Sequence, residues 1–372
     1  MRVGVDARTL AAEQRSGVEQ YVVGLVRALS RLDDAPEIIA YVDRTIPDPE
    51  LDAATSSGLL RTHVVRARRG WLRAALPWRL WRDHVDLVHL PSTILPPILP
   101  CPAVATVHDL AWIRYPRTYS REDLAMQRLA VSGAARRARH IIANSENTAR
   151  DLRENYPACS HRITAIPLGV SADFSPAGPR LSNDILPAGT RPADGYILYV
   201  GRLHPRKNLR LLLRAYRLVL DQVAAPPLLI VGPITAYGEE LVAEARRLEM
   251  EQHVVFPGYL PETLLPALYR SATVFVYPSL YEGVGLPVLE AMASGVPVVT
   301  SNTSAMPEVA GEAALLVGPE DVQGLTSAIV RLLTDQDLRK SLSERGRARS
   351  REFTWERTAR ATVEVYRRAV GQ

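Results

Sequence analysis

YILYVG (196–201), PLLIVG (227–232), HVVFPG (253–258), TVFVYP (273–278) and PVVTS (297–301) are short apolar runs, each closed by a turn residue. Runs this short and this apolar suit parallel strands buried on both faces. Helical patterns fit between them, over Asn208–Asp221, Glu239–Leu248, Glu262–Ser271 and Leu286–Ser294. Strand and helix in strict alternation mark βαβ units and a parallel sheet. No strand is expected beyond about Val317; helices are expected over Val322–Leu333, Asp335–Arg351 and Trp355–Val370.

The same alternation occupies the first half. Strands are expected near Val3–Val5, Ile38–Val42, Thr62–Val65, Leu87–His89, Val104–Val107, His140–Ala143 and Ile163–Ile166, with helices over Val18–Ser30 and Asp123–Arg139. The stretch 175–195 (SPAGPRLSNDILPAGTRPADG) has linker composition. The expected organisation is therefore a first α/β domain over 1–180, a second over 181–352 and a terminal helix over 353–372. Doubly wound domains take ligands at the carboxyl ends of their strands, so chemistry is sought on strand-to-helix loops.

The 372 residues suit two domains, and 47% hydrophobic with 23% charged residues is ordinary globular composition. The two cysteines, Cys101 and Cys159, have no metal-like spacing, and a reducing cytosol fits. The opening MRVGVDARTL reads as a strand rather than a signal peptide, and no run approaches the ~18 apolar residues of a membrane span. The expected location is cytoplasmic. The net charge of +5 is small for this length and argues against nucleic acid as a partner. The basic excess sits in the first half, with 24 Lys and Arg against 20 Asp and Glu over 1–190. Only Lys207 and Lys340 among the 45 basic residues are lysines, so a lysine is a rare choice here.

The run Glu282-Gly283-Val284-Gly285-Leu286-Pro287-Val288-Leu289-Glu290 follows the strand TVFVYP and opens a helix. Its glycines leave backbone bare to a ligand, and the amides of Gly285 and Leu286 at a helix N-terminus favour phosphate. Glu290, about one turn further on, can accept from both hydroxyls of a ribose, and Glu282 can meet a sugar hydroxyl. The loop Gly201-Arg202-Leu203-His204-Pro205-Arg206-Lys207-Asn208 follows the first strand of the second half. Its guanidinium fork and ammonium point charge suit a departing diphosphate. Ser16-Gly17-Val18 is a strand-to-helix loop with one glycine and no G-x-G-x-x-G fingerprint. In Val107-His108-Asp109-Leu110, His108 stands at a strand end where it could meet a sugar hydroxyl near the anomeric carbon, with Asp109 orienting it.

Residues 66–82 (RARRGWLRAALPWRLWR) hold six arginines, three tryptophans and no acid. Two readings stand: peripheral contact with a membrane carrying anionic lipid, or a surface helix whose tryptophans pack inward and whose arginines face solvent. Pro77 is expected to interrupt a long helix.

In their order along the chain, S-G-V (16–18), V-H-D-L (107–110), G-R-x4-K-N (201–208), F-P-G-Y (256–259), E-x7-E (282–290) and P-E-V-A-G (307–311) resemble glycosyltransferase family 4, the retaining GT-B enzymes. The resemblance spans essentially the whole chain. It implies two Rossmann-like domains facing a central cleft, the first taking the acceptor and the second a nucleotide sugar, with the last helix crossing back to the first domain. It implies Arg202 and Lys207 at the diphosphate, Glu290 at the ribose, and Glu282 with the backbone of Gly283, Val284, Gly285 and Leu286 at the donor sugar. Gly17 would reach the phosphate, His108 would touch the donor sugar, and Tyr259 and Leu260 would lie against the nucleobase. Val284 departs from the aromatic that many members carry. The expected reaction is hexose transfer with retention and without a metal or other cofactor. GDP-mannose is the leading donor and a UDP-hexose its rival; the acceptor is a glycan, a lipid-linked glycan or a small molecule. A nucleotide-sugar epimerase of the same architecture and a non-catalytic nucleotide-sugar binder are the remaining alternatives.

Overall fold

The computed structural model describes residues 1–11, 17–45, 60–67, 70–182, 185–186 and 195–371. They form two compact units, Met1–Gly169 with Thr354–Gln372, and Val170–Phe353.

The first unit is a seven-stranded parallel sheet in the order β3-β2-β1-β4-β5-β6-β7. Its strands are β1 (Arg2–Asp6), β2 (Glu37–Val42), β3 (Leu60–Val64), β4 (Leu87–Leu90), β5 (Ala103–Val107), β6 (His140–Ala143) and β7 (Ile163–Ala165). The central strands β4 and β5 are buried at every position, which is why they read as uninterrupted apolar runs. Val107, Val131, Ala134 and Leu152 share one core, and Ile39, Trp71, Leu80 and Val88 another.

The helix Trp355–Val370 belongs to this unit. Thr354 caps it by accepting from Arg357 N–H, and Gly371 ends it in the left-handed region. Its Trp355 ring lies against the helix Gly17–Leu29 at Gly24, where a Cβ would come within 2.2 Å of the indole, so only glycine fits. Tyr366, on its buried face, joins a closed hydrogen-bonded chain. Its hydroxyl meets His89 Nδ1 at 2.7 Å, His89 Nε2 meets Thr106 Oγ1 at 2.7 Å, and Tyr21 meets the same Thr106 hydroxyl at 3.0 Å. Burial, reinforced by His108, holds the His89 imidazole down at about 3, so it is neutral.

The second unit has a six-stranded parallel sheet in the order β10-β9-β8-β11-β12-β13. Its strands are β8 (Ile197–Val200), β9 (Leu228–Val231), β10 (Val254–Gly258), β11 (Val274–Tyr277), β12 (Val298–Ser301) and β13 (Ala314–Val317). In both sheets the chain lays down strands to one side, then returns to build the other. The resulting crevices open beside β1 and β4 and beside β8 and β11.

Two expectations change. The described part of the linker-like stretch is fixed to the second unit. Arg270 donates to the carbonyls of Ser175 at 3.2 Å and Pro179 at 2.9 Å, and Leu181 N–H donates to Ser271 Oγ at 2.9 Å. Pro and Gly content alone does not distinguish a strap from a tether, and residues 183–184 and 187–194 lie outside the described residues. Pro77 does not interrupt the helical run over 71–82. It sits in the first turn of the helix Leu76–Arg82, where its missing N–H costs nothing, and a wider π-type turn over Trp71–Ala75 precedes it.

Candidate active site

The chemistry of the second unit gathers where β8 and β11 end side by side. Gly201 leaves β8 with φ 150°, and a Cβ on Gly232 would stand 2.0 Å from the Gly201 carbonyl, so the exits of β8 and β9 touch backbone to backbone. A single 3-10 turn, Pro205–Lys207, follows, closed by Asn208 in the left-handed region at φ 60°. Asn208 Nδ2 donates to the carbonyls of Pro278 at 3.2 Å and Pro319 at 2.7 Å, tying this loop to the exit of β11.

That tie brings two distant motifs into contact. Lys207 is buried, and its ammonium donates to Glu282 Oε1 at 2.6 Å and to the Tyr277 hydroxyl at 2.7 Å. Arg206 Nη1 stands 3.2 Å from the other carboxylate oxygen of Glu282 and also donates to the Tyr281 carbonyl. Burial alone would raise the Glu282 carboxyl; Lys207, then Arg206, overcome it and hold the group at about 2. Glu282 is therefore ionised, with a cation on each oxygen. Arg202 differs: its side chain is exposed and has no hydrogen-bond or ion-pair partner among the described residues.

The helix Leu286–Ala293 starts from this cluster. Gly285 caps it at φ 93°, and a Cβ there would come within 2.3 Å of Met306 Cε. The backbone N–H groups of Gly283, Val284, Gly285 and Leu286 meet no acceptor among the described residues. Pro287 has no N–H to add, so the free donors are concentrated at the very start of the helix. Glu290 is buried one turn on, with Oε2 accepting from the Tyr269 hydroxyl at 2.8 Å. Burial pushes its carboxyl up to about 7 despite the Tyr269 bond, and Glu262 adds to the rise. Tyr259, exposed, and Leu260, half-buried, follow directly after β10, two strands from β8.

The first unit offers neutral groups. His108 leaves β5 with Nε2 2.7 Å from the Pro91 carbonyl and Nδ1 2.7 Å from Asn144 Nδ2. A carbonyl can only accept, so the proton sits on Nε2 and Nδ1 accepts from the amide. Burial lowers the pKa of this imidazole, against a smaller opposing effect of the Pro91 bond and the charge of Asp109, and the ring is neutral. Its orientation comes from Asn144 and Pro91, not from Asp109 as the sequence suggested. Asp109 accepts instead from Ala111 N–H at 3.0 Å, at the start of the short helix Ala111–Arg114. Gly17 is the exposed first residue of its helix, with open space where a Cβ would be; Ser16 lies outside the described residues.

The structure thus brings Lys207 to Glu282 and places Arg202 and residues 283–286 at the same crevice. It adds Arg206, Tyr277, Tyr269 and Asn144. Arg206 stood inside the quoted loop, and its charge was the signal for it; the two tyrosines and Asn144 gave none, because each acts through a partner far along the chain. Among the described residues no group of three His, Cys, Asp or Glu side chains is placed to hold a metal. None of their helices is long and apolar enough to cross a membrane.

Two family models divide the chain: Glycosyltransferase Family 4 matches residues 15–174 and Glycosyl transferases group 1 matches 187–349. An O-antigen chain mannosyltransferase B of Escherichia coli is 35% identical over 294 residues, 78% of this chain and 76% of the relative. The chain belongs to glycosyltransferase family 4. The MMP alpha-(1->4)-mannosyltransferase of Mycolicibacterium hassiacum is 36% identical over 64% of this chain and 56% of that protein. This glycosyltransferase also superposes on the sucrose-phosphate synthase of Thermosynechococcus elongatus with a TM-score of 0.76 at 23% identity, over 99% of this chain and 98% of the other. Its fold is GT-B, and it is an enzyme of glycosyl transfer.

Proposed function

We propose that this glycosyltransferase moves mannose from a nucleotide sugar, GDP-mannose in our reading, to a free or lipid-linked glycan, with retention and without a metal. The observation that carries the donor site is the crevice beside β8 and β11, where an unpaired Arg202 guanidinium and four unpaired amides surround an ordered Lys207–Glu282 pair. Departure of a nucleoside diphosphate builds negative charge on its terminal phosphate. Arg202 supplies a mobile counter-charge, the start of the helix Leu286–Ala293 supplies N–H groups, and Lys207 supplies a fixed cation. Glu282, held ionised, accepts from hydroxyls of the transferred sugar, and Glu290 accepts from the ribose. Tyr259 and Leu260 face the base. His108 meets the sugar as an uncharged ring, and Gly17 offers an amide to phosphate. Mannose is supported by the two relatives, both named as mannosyltransferases. We read the acceptor side as peripheral to a membrane, through residues 66–82.

The test is transfer from GDP-mannose, UDP-glucose and ADP-glucose in EDTA, with the product anomer read by NMR. Transfer of mannose alone, with the α configuration of the donor kept, is the expected outcome. Transfer only from a UDP-sugar overturns the donor; loss of all transfer in EDTA overturns the metal-free reading.

A further inference from the structure

The helical run over 71–82 has two apolar faces, and only one is covered. Trp71, Leu76 and Leu80 point inward, and Trp71 is 6% exposed against the core beneath β4. On the opposite face, Trp78 is 52% exposed and Trp81 is 67% exposed. A soluble surface seldom shows two neighbouring indoles, since each leaves a large apolar area in water.

The charged residues of the run itself have one sign. Arg73 and Arg82 are exposed at either end of the face, and the Arg82 guanidinium lies 5.1 Å over the Trp78 ring. The nearest acid along the chain, Asp83, is turned inward and is bonded to Arg79, His63 and Tyr41. Indole rings flanked by guanidinium groups fit the boundary between acyl chains and anionic headgroups: the rings enter the boundary and the arginines keep their charge at phosphate level. A protein partner would need a complementary acidic surface with two indole pockets, whereas a bilayer supplies both properties along its whole area.

We propose that Trp78 and Trp81, with Arg73 and Arg82, form a docking face for a bilayer containing anionic phospholipid. This deepens the peripheral contact read above and rests on that reading, but the contact forms without donor or acceptor and is measured in their absence.

The experiment is flotation of the full chain with vesicles of phosphatidylcholine alone or with phosphatidylglycerol added, at low and high salt. Beside it run W78S/W81S, R73S/R82S and a control pair of exposed arginines in the second unit, R214S/R331S. Binding is expected only to the anionic vesicles. The tryptophan pair should weaken it at least tenfold. The arginine pair should weaken it roughly 25-fold at low salt, about fivefold per charge, and R214S/R331S should not weaken it. Because all the substituted side chains are exposed, each variant should keep its melting temperature and its stabilisation by nucleoside diphosphate, which separates lost docking from lost fold or lost donor site. The proposal is overturned by no binding to either vesicle, by binding that survives W78S/W81S, or by equal loss in the control pair. A concentration-dependent dimer that W78S/W81S abolishes, with no vesicle binding, would assign the face to a second copy of the chain instead.

Discussion

The two sheets share a winding order through their first six strands, yet their carboxyl edges hold opposite kinds of chemistry. The edge of β8 and β11 is ionic, with Glu282 between Lys207 and Arg206 and Arg202 left unpaired. At the edge of β4 and β5 the two ordered imidazoles are neutral. His108 is fixed by an amide and a carbonyl, and behind it His89 is threaded between Tyr366 and Thr106. Topology therefore gives the place for a ligand, and the residues on the exit loops decide whether that place meets charge. Under the proposed function the donor's diphosphate takes the ionic edge. The transferred sugar, which carries hydroxyls and no charge, is oriented under that reading by the neutral, locked His108.

The comparison is most severely tested at Lys207. Lys207→Ala removes a cation from the proposed leaving-group site and leaves Glu282 buried with Arg206 alone. A kcat loss of about 10²–10³-fold is expected, with roughly 3–5 kcal/mol of stability lost in denaturant titration. A wild-type kcat would mean that the ionic edge is structural. Arg202→Ala should lower kcat by about 10²-fold while the melting temperature stays put, because its side chain is exposed and unpaired. At the neutral edge, His108→Ala should cost only about tenfold in kcat/KM. A drop as large as that of Lys207→Ala would erase the contrast.

Acidity sharpens the comparison within the ionic edge, since Glu282 and Glu290 are shifted in opposite directions. Glu282 is held at about 2, below its ordinary 4.5, so it stabilises the fold above pH 4.5 and that contribution is lost as pH falls towards 2. Glu290 is raised to about 7, so it favours the fold most below pH 4.5, and this contribution is lost as pH rises through 7. In the proposed role, Glu290 accepts from both hydroxyls of a ribose best as the carboxylate. Nucleoside diphosphate affinity should fall up to tenfold per unit below pH 7, and binding at pH 6.5 should release a proton, read by calorimetry in buffers of differing ionisation enthalpy. Glu290→Gln should remove both effects. A proton release that persists in Glu290→Gln would place the titrating group elsewhere.

The smallest contrast is between two helix-start glycines. Gly285→Ala forces a left-handed φ on alanine and meets Met306, and about 1–3 kcal/mol of stability should go. Gly17→Ala meets open space and keeps its N–H, so less than about 1 kcal/mol should change. Urea titration of both variants distinguishes them.

Most of the strands were legible because a parallel strand buried on both faces is an apolar run, as in ILYV of β8 and VFVY of β11. β13 gave a weaker signal: it is an edge strand, and Leu316 is exposed. The helix Glu146–Asn155 escaped because its buried positions include Asn147, Thr148 and Asp151, which read as polar. The site's loops were legible as motifs. Their pairings were not: Lys207 and Glu282 are 75 residues apart, and nothing in either motif says that one neutralises the other. Arg202 and Lys207 read alike as cations in sequence, yet one is buried and bound and the other is free. For residues 66–82 the structure divides the two readings, turning Trp71 inward and leaving Trp78 and Trp81 outside.

The helix that closes the first unit is encoded after the whole of the second. A nascent chain that has emerged only as far as Gly169 holds all seven strands of its first sheet, but has no Tyr366 to meet His89 and no Trp355 to lie against Gly24. The first part made is thus the last part finished. A premature stop just after Phe353 would leave the later unit whole and injure the earlier one, so damage at the 3′ end of the message would appear as misfolding at the protein's N-terminus.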